Sequence, residues 1–221
     1  MKTQPLDFVL SALLLTILSL TALAITAYLL RPITTQGLGE YHVIMDFLLF
    51  LLVFGILCAL TTRAILMVKP MLSGKHDMGD SLFVWWKLFT VTYEFGRGAL
   101  LPFTVVFLKP VVASLFGAKI GKDIALGGHL VDPELITIGD EAIIGQGSVI
   151  SAHTITSGFL ILAPVLIGPR ATVGVNSVVM SGVELGEGSV LTGGAIVPPD
   201  TKIPPYELWG GSPAQKIRSL L

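Results

Sequence analysis

The chain has 221 residues, of which 52% are hydrophobic and 13% charged, with a formal net charge of −1. So small a charge excludes the basic footprint of a nucleic-acid binder, and the charged fraction is well below the ~25% of an average soluble domain. Cys58 is the only cysteine, so an internal disulfide is excluded too. The apolar excess lies before residue 117, and composition therefore predicts a membrane domain over 1–116 and a second domain over 117–221. Phe8–Leu30 carries no charge and has the length of a bilayer-spanning helix, about 20 residues. A cleaved signal peptide would have a shorter apolar core, so a retained anchor, span 8–30, is expected. Arg31-Pro32 is expected to end that helix. A second span, 43–60, follows a polar connector. Asp46 lies near its start, beside Tyr41 and His42, and reads as a headgroup-level residue. Arg31 is the one basic residue between the spans, whereas Arg63, Lys69 and Lys75 follow the second. Positive residues stay inside, so both chain ends are expected in the cytoplasm. Pro70, Gly74 and Gly79 mark a loop. Ser81–Phe95 reads as an interfacial helix with paired Trp85 and Trp86. Residues 99–116 are apolar but broken by Pro102, Lys109 and Pro110, which predicts an interfacial or re-entrant segment.

From Ile120 an aliphatic residue returns every sixth position, often followed by glycine: Ile138-Gly139, Ile144-Gly145, Ile167-Gly168, Val173-Gly174, Leu185-Gly186. Four residues later comes a small column that includes Ala142, Ser148, Thr154, Ala171, Ser177 and Ser189. A fixed six-residue period means stacked repeats, a parallel β-helix of roughly four coils. The glycines are expected to serve corner backbone angles that oppose a side chain. Two irregularities stand out. Asp132 occupies an aliphatic position, and Ile150 to Ile167 is one residue short of three hexads. The segment 154–166 should therefore loop out of the wall.

The hexads, with the ending Trp209-Gly-Gly-Ser-Pro-Ala-Gln-Lys-Ile-Arg218, resemble the hexapeptide-repeat acyltransferases. The fold class this implies is a left-handed parallel β-helix (hexapeptide repeat) preceded by an α-helical membrane domain. The runs Phe116–Gly121, Val131–Asp140 and Ser151-Ala-His153, behind apolar helices, are similar to the membrane-linked C-terminal domain of poly-lysine-type nonribosomal peptide synthetases. The resemblance implies an integral membrane acyltransferase. It would be a homotrimer in a bacterial inner membrane, using acyl-CoA (acetyl-CoA) or a carrier-bound thioester, with membrane lipid around it and the β-helix cytoplasmic.

His153 lies beside the repeat break, and its register turns it out of the prism. An outward imidazole near neutral pH can act as a general base, and the resemblance implies that role. His129 is expected at the equivalent outward position on a different face, as a weaker candidate. Asp132 and Glu134 can orient an imidazole or cap the irregular first coil. The resemblance places coenzyme A along the outside of the coils, against Gly174, Gly193 and Gly194, with Lys202, Lys216 or Arg218 at its phosphates. No metal is expected, because a carbonic-anhydrase-type zinc site needs three histidines and the β-helix holds two. His42 and His76 read as connector residues. Three functions stay open: acyl transfer to a hydroxyl or amine, amide formation from an aminoacyl or carrier thioester, and a non-catalytic trimeric membrane scaffold.

Overall fold

A computed structural model describes residues 5–221, so the first four residues of the expected membrane domain lie outside the described residues. Contacts divide the chain into two units. One runs to Pro70 and includes Val84–Thr104; the other joins Met71–Phe83 to Val105–Leu221. The expected boundary between 116 and 117 is thereby corrected, because two short segments before it belong to the repeat unit. They are drawn there by strand pairing and by core packing, neither of which leaves a six-residue period.

In the helical unit, α1 is Pro5–Ile25. It runs on through a π-helical turn, Thr26–Leu30, into α2, Arg31–Leu38. The helix does not end at Arg31-Pro32. Pro32 falls in the first turn of α2, where a missing N–H does no harm. The path breaks instead at Gly39, whose φ is 53°, and a 3₁₀ turn over Gly39–Tyr41 leads into α3, His42–Val68. α1 and α3 pack side by side. Their outer faces carry exposed Phe8, Leu13, Ile17, Ile44, Phe47 and Leu60. A further helix, α4, Ser81–Leu100, exceeds the expected 81–95. Lys87 on it pairs with Asp7 of α1, both side chains being largely buried. Gly55 lets α3 approach α4 closely, since a Cβ there would meet Leu100 Cγ at 2.5 Å.

The repeat unit opens with a strand where a loop is expected, β1, Gly74–Asp77. Residues 99–116 finish α4, make one 3₁₀ turn that still belongs to the helical unit, Leu101–Phe103, and then, in the repeat unit, a second, Val106–Leu108, and the short helix α5, Lys109–Leu115. Ala113 of α5 is buried in the β-helix core. The coils come next. The first holds β2 (Lys119–Ile120), β3 (Ala125–Leu126) and β4 (His129–Val131). The second holds β5 (Ile136–Ile138), β6 (Ile143–Ile144) and β7 (Val149–Ser151). An antiparallel hairpin then leaves the wall, β8 (His153–Thr156) and β9 (Phe159–Leu162). The third coil is β10 (Val165–Ile167), β11 (Thr172–Val173) and β12 (Val178–Val179). The fourth is β13 (Glu184–Leu185), β14 (Val190–Leu191) and β15 (Ile196–Val197). A partial fifth has β16 (Lys202–Ile203) and β17 (Glu207–Gly211), and β18 (Ala214–Ser219) folds back antiparallel on β17.

Every coil strand pairs in parallel with its equivalents above and below, which builds three faces. On the first face Ile120, Ile138, Ile167, Leu185 and Ile203 stack in register. The step is 18 residues everywhere except Ile138 to Ile167, where it is 29, so the hairpin adds 11. The looped-out segment is thus a β-hairpin, extended to three strands by β1 pairing with β9. Lys75 of β1 also lies over the Phe159 ring at 3.8 Å. The small column fills the prism as expected, with Ala142, Ser148, Ala171, Ser177 and Ser189 wholly buried. Thr154 leaves that column, because it belongs to β8.

The repeat glycines have a different reason from the expected one. Gly139, Gly145, Gly168, Gly174 and Gly186 do not have positive φ. A Cβ on any of them would stand 2.4–2.6 or 2.8 Å from backbone atoms of the next coil, so they permit coil-to-coil contact. The left-handed corner position comes two residues later, at Glu141, Gly147, Arg170, Asn176 and Gly188.

Candidate active site at the corner where the hairpin leaves

Coil one ends at a corner where the aliphatic period fails. β4 runs into Asp132, which takes a left-handed conformation with φ 60°. A 3₁₀ turn, Pro133–Leu135, comes after it. One coil below, β7 pairs with β4, Val131 facing Ser151. Ala152 donates its N–H to Val131 O at 3.2 Å, which locks the two corners together. His153 is the next residue, and there the hairpin departs. The stacking brings His153 Nδ1 to 2.5 Å from Asp132 Oδ2. The carboxylate is 1% exposed and the imidazole 22%. Asp132 thus occupies an aliphatic place because its side chain holds a histidine from the next coil. The bond orients the ring, and in the tautomer that carries its proton on Nδ1, facing the carboxylate, Nε2 is the basic nitrogen.

Glu134 is close by on the 3₁₀ turn. Both its carboxylate oxygens are buried with no hydrogen-bond partner. Burial, and then the neighbouring Asp132 charge, push its pKa well above the usual carboxylate range. Buried and without a donor, this group is stable as the neutral acid. Thr154 Oγ1 lies 2.8 Å from Ser181 Oγ, tying the root of the hairpin to the third coil. Sequence reasoning missed Ser181 and the Lys75–Phe159 contact; neither carries a local signal, since both depend on where the insertion folds.

His129 is on β4 opposite Val149 of β7. His153, by contrast, is on β8 in the hairpin sheet, so the two histidines lie on different sheets.

Of the expected coenzyme A residues, Gly174 of the third coil lies beside Gly193 and Gly194 of the fourth. Gly174 lies against Thr192 and Gly193 of the next coil, with 2.5 Å to Gly193 N from an added Cβ. Its close approach serves packing. Gly193 is exposed, and Gly194, φ 71°, faces open space. Lys202 pairs with Glu184 at 2.9 Å on the first face. Lys216 pairs with Glu207 on the β17–β18 hairpin, and Lys216 followed by Trp209 Nε1 hold the Glu207 carboxylate below its usual range. Arg218 is exposed on β18, opposite Leu208. Among the described residues no three His, Cys, Asp or Glu side chains come together as a metal cage.

Residues 164–198 match the family model described as the hexapeptide repeat of succinyl-transferase. The repeat unit has the hexapeptide-repeat left-handed β-helix fold. YvoF of Bacillus subtilis, an acetyltransferase by name, is 31% identical over 103 residues, 45% of this chain and 59% of that protein. The delta-poly-L-ornithine synthetase of Acinetobacter baumannii is 26% identical over 192 residues, 83% of this chain and 14% of the synthetase. A solved hexapeptide-repeat acetyltransferase from Vibrio cholerae superposes with a TM-score of 0.44 and 29% identity, over 48% of this chain and 64% of that one. The chain thus spans little more than half the length of YvoF and a small part of the synthetase.

Proposed function

We propose that this protein is a membrane-bound acyltransferase with His153 as its general base. The observation that carries the proposal is the 2.5 Å bond from Asp132 to His153 Nδ1, at the one corner where an insertion opens the coil wall. An acceptor hydroxyl or amine gives its proton to His153 Nε2 as it attacks the thioester carbonyl of acyl-CoA, most simply acetyl-CoA. The C–S bond breaks, and the coenzyme A thiolate recovers the proton from the imidazolium. Asp132 steadies that imidazolium. The hexapeptide-repeat match and the acetyltransferase name of YvoF support the reaction class.

The membrane setting rests on the helical unit. α1 and α3 form a hairpin of 64 residues from Pro5 to Val68, with a mean hydropathy of 2.8 in its most apolar stretch. Large apolar side chains project from both helices, where a water-soluble pair would carry charge. In this reading the protein is a homotrimer, and Gly193, Gly194 and Arg218 are the candidates at the coenzyme A groove.

A second reading has one observation in its favour. The similarity to the poly-ornithine synthetase runs over 83% of this chain, helices included. It suggests amide formation from an aminoacyl or carrier-bound thioester, with the same histidine taking the proton from an amine. The test incubates the full chain in mild detergent with radiolabelled acetyl-CoA, or with a labelled carrier-bound aminoacyl thioester, and membrane extract. Label moving from acetyl-CoA to a product supports the first reading, and label moving only from the carrier supports the second. No transfer from either donor removes both.

A further inference from the structure

The helical unit contains a polar cluster that the transfer chemistry does not use. Asp46 of α3 stands at its centre. Thr34 Oγ1 of α2 donates to its Oδ1 at 2.5 Å, and His42 Nδ1 lies 2.9 Å from its Oδ2. The same Oδ2 is 3.9 Å from Arg31 Nε. Asp46 is 17% exposed, whereas the Arg31 side chain is 56% exposed. Both oxygens of the carboxylate are thus taken by short-range donors. The guanidinium approaches it at 3.9 Å, through Nε, and the exposure of the Arg31 side chain leaves its other N–H groups within reach of a ligand.

Arg31 and Asp46 form the polar end of a groove of about 420 Å³ between α1 and α3. The rest of its wall is mainly apolar, including Leu20, Leu23, Phe47 and Phe50. The π-helical turn Thr26–Leu30 supplies Thr26 and Ala27 to the same wall. Such turns insert one residue into a helix and rotate the side chains beyond it, often at functional sites. Arg31 is the first residue beyond this turn. The helix thus departs from regularity at the place where the groove turns polar.

We propose that this groove is a specific site for one membrane phospholipid with an anionic headgroup. Its phosphate would take the other N–H groups of Arg31, a geometry guanidinium suits, and an acyl chain would lie along Leu20, Leu23, Phe47 and Phe50. Asp46, held by Thr34 and His42, fixes the arginine from behind. This inference rests on the membrane reading of the helical unit and is independent of the transfer chemistry.

The test is native mass spectrometry of the full chain, extracted in mild detergent and exposed to equal amounts of phosphatidylglycerol and phosphatidylcholine. The expected result is one phosphatidylglycerol retained per chain. Arg31→Gln should weaken retention about tenfold or more, the usual worth of a hydrogen bond to a charged group. Leu23→Trp, which fills the groove from an exposed position, should prevent retention while the helical circular dichroism stays unchanged. Equal retention of both lipids, or by all three proteins, would mean ordinary annular lipid and overturn the proposal. A protein that needs detergent for extraction yet retains no lipid overturns this inference alone. A protein soluble without detergent and lipid-free overturns the membrane reading with it. Lipid retention without acyl transfer overturns only the proposed chemistry.

Discussion

Asp132, Glu134 and His153 lie within one corner, and two of them are carboxylates in opposite states of satisfaction. Asp132 has a partner that can carry positive charge; Glu134 has none. If His153 is the base, His153→Ala should fold and trimerise normally, since the ring is partly exposed at the edge of the core. It should lose roughly 100- to 10,000-fold in turnover, while His129→Ala, opposite Val149, loses much less. Turnover with donor and acceptor, beside size exclusion, decides it; the reverse order would move the base to β4. Glu134 makes a separate prediction about pH. Its folded pKa is raised above the ordinary 4.5, so the native state keeps a proton that the unfolded chain releases. Its contribution is full below pH 4.5 and is lost as pH rises toward the folded value. Glu134→Gln should therefore match the wild type in stability near pH 4 and exceed it near pH 8. Denaturant midpoints at the two pH values measure this, and an unchanged difference would mean that the carboxylate is ionised in the native state.

At the scale of elements, the hexad period lays down short strands that coil-to-coil hydrogen bonds then pair in parallel. The backbones approach so closely that a side chain after the aliphatic residue has nowhere to go. Gly174 is the clearest case, 2.5 Å from the next coil once a Cβ is added. Gly174→Val should cost about 3 kcal/mol or more, by forcing coils three and four apart. A thermal scan should show it, whereas Gly194→Ala, in open space, tests only the left-handed φ of 71° and should cost about 1 kcal/mol. The hairpin β8–β9 is a different kind of element. Its strands pair antiparallel, it borrows β1 from far upstream by the partnership Lys75↔Ile161 and its neighbours, and it starts at the candidate base.

At the scale of the whole molecule, the charge asymmetry around the helical hairpin sets the topology expected under the proposed membrane reading. Arg31 is the basic residue between α1 and α3, Arg63 lies in the last two turns of α3, and Lys69 and Lys75 come after it. A reporter fused after Leu221 should behave as cytoplasmic and one inserted at Gly37 as external. The opposite result would deny the corner access to cytoplasmic coenzyme A and end the proposed mechanism. The coil faces carry exposed Ile143, Leu166, Val175 and Ile196, and a three-fold assembly would cover such a surface. Mass measurement in mild detergent should give a trimer, and a monomer would contradict the expected assembly.

The sequence by itself determined what is local and repetitive. The period of six set the β-helix, its core columns and its coil number, because each aliphatic residue points inward from one of three successive walls whatever the neighbours are. Asp132 in an aliphatic place and the shortened step after Ile150 flagged the corner, and His153 beside it. Tertiary structure alone decided what depends on partners far apart in the chain. The strand Gly74–Asp77 has no period of its own and becomes a strand only when β9 offers its edge. The bond between Asp132 and His153 spans 21 residues and exists because β4 and β7 stack in one register. His42 reads as a connector residue, Asp46 as a headgroup-level residue and Arg31 as a helix end, and only a helix continuing past Pro32 closes them into one cluster. A repeat constrains position along the prism, whereas these contacts arise from how insertions and helices fold back, and no pattern of nearest neighbours encodes that.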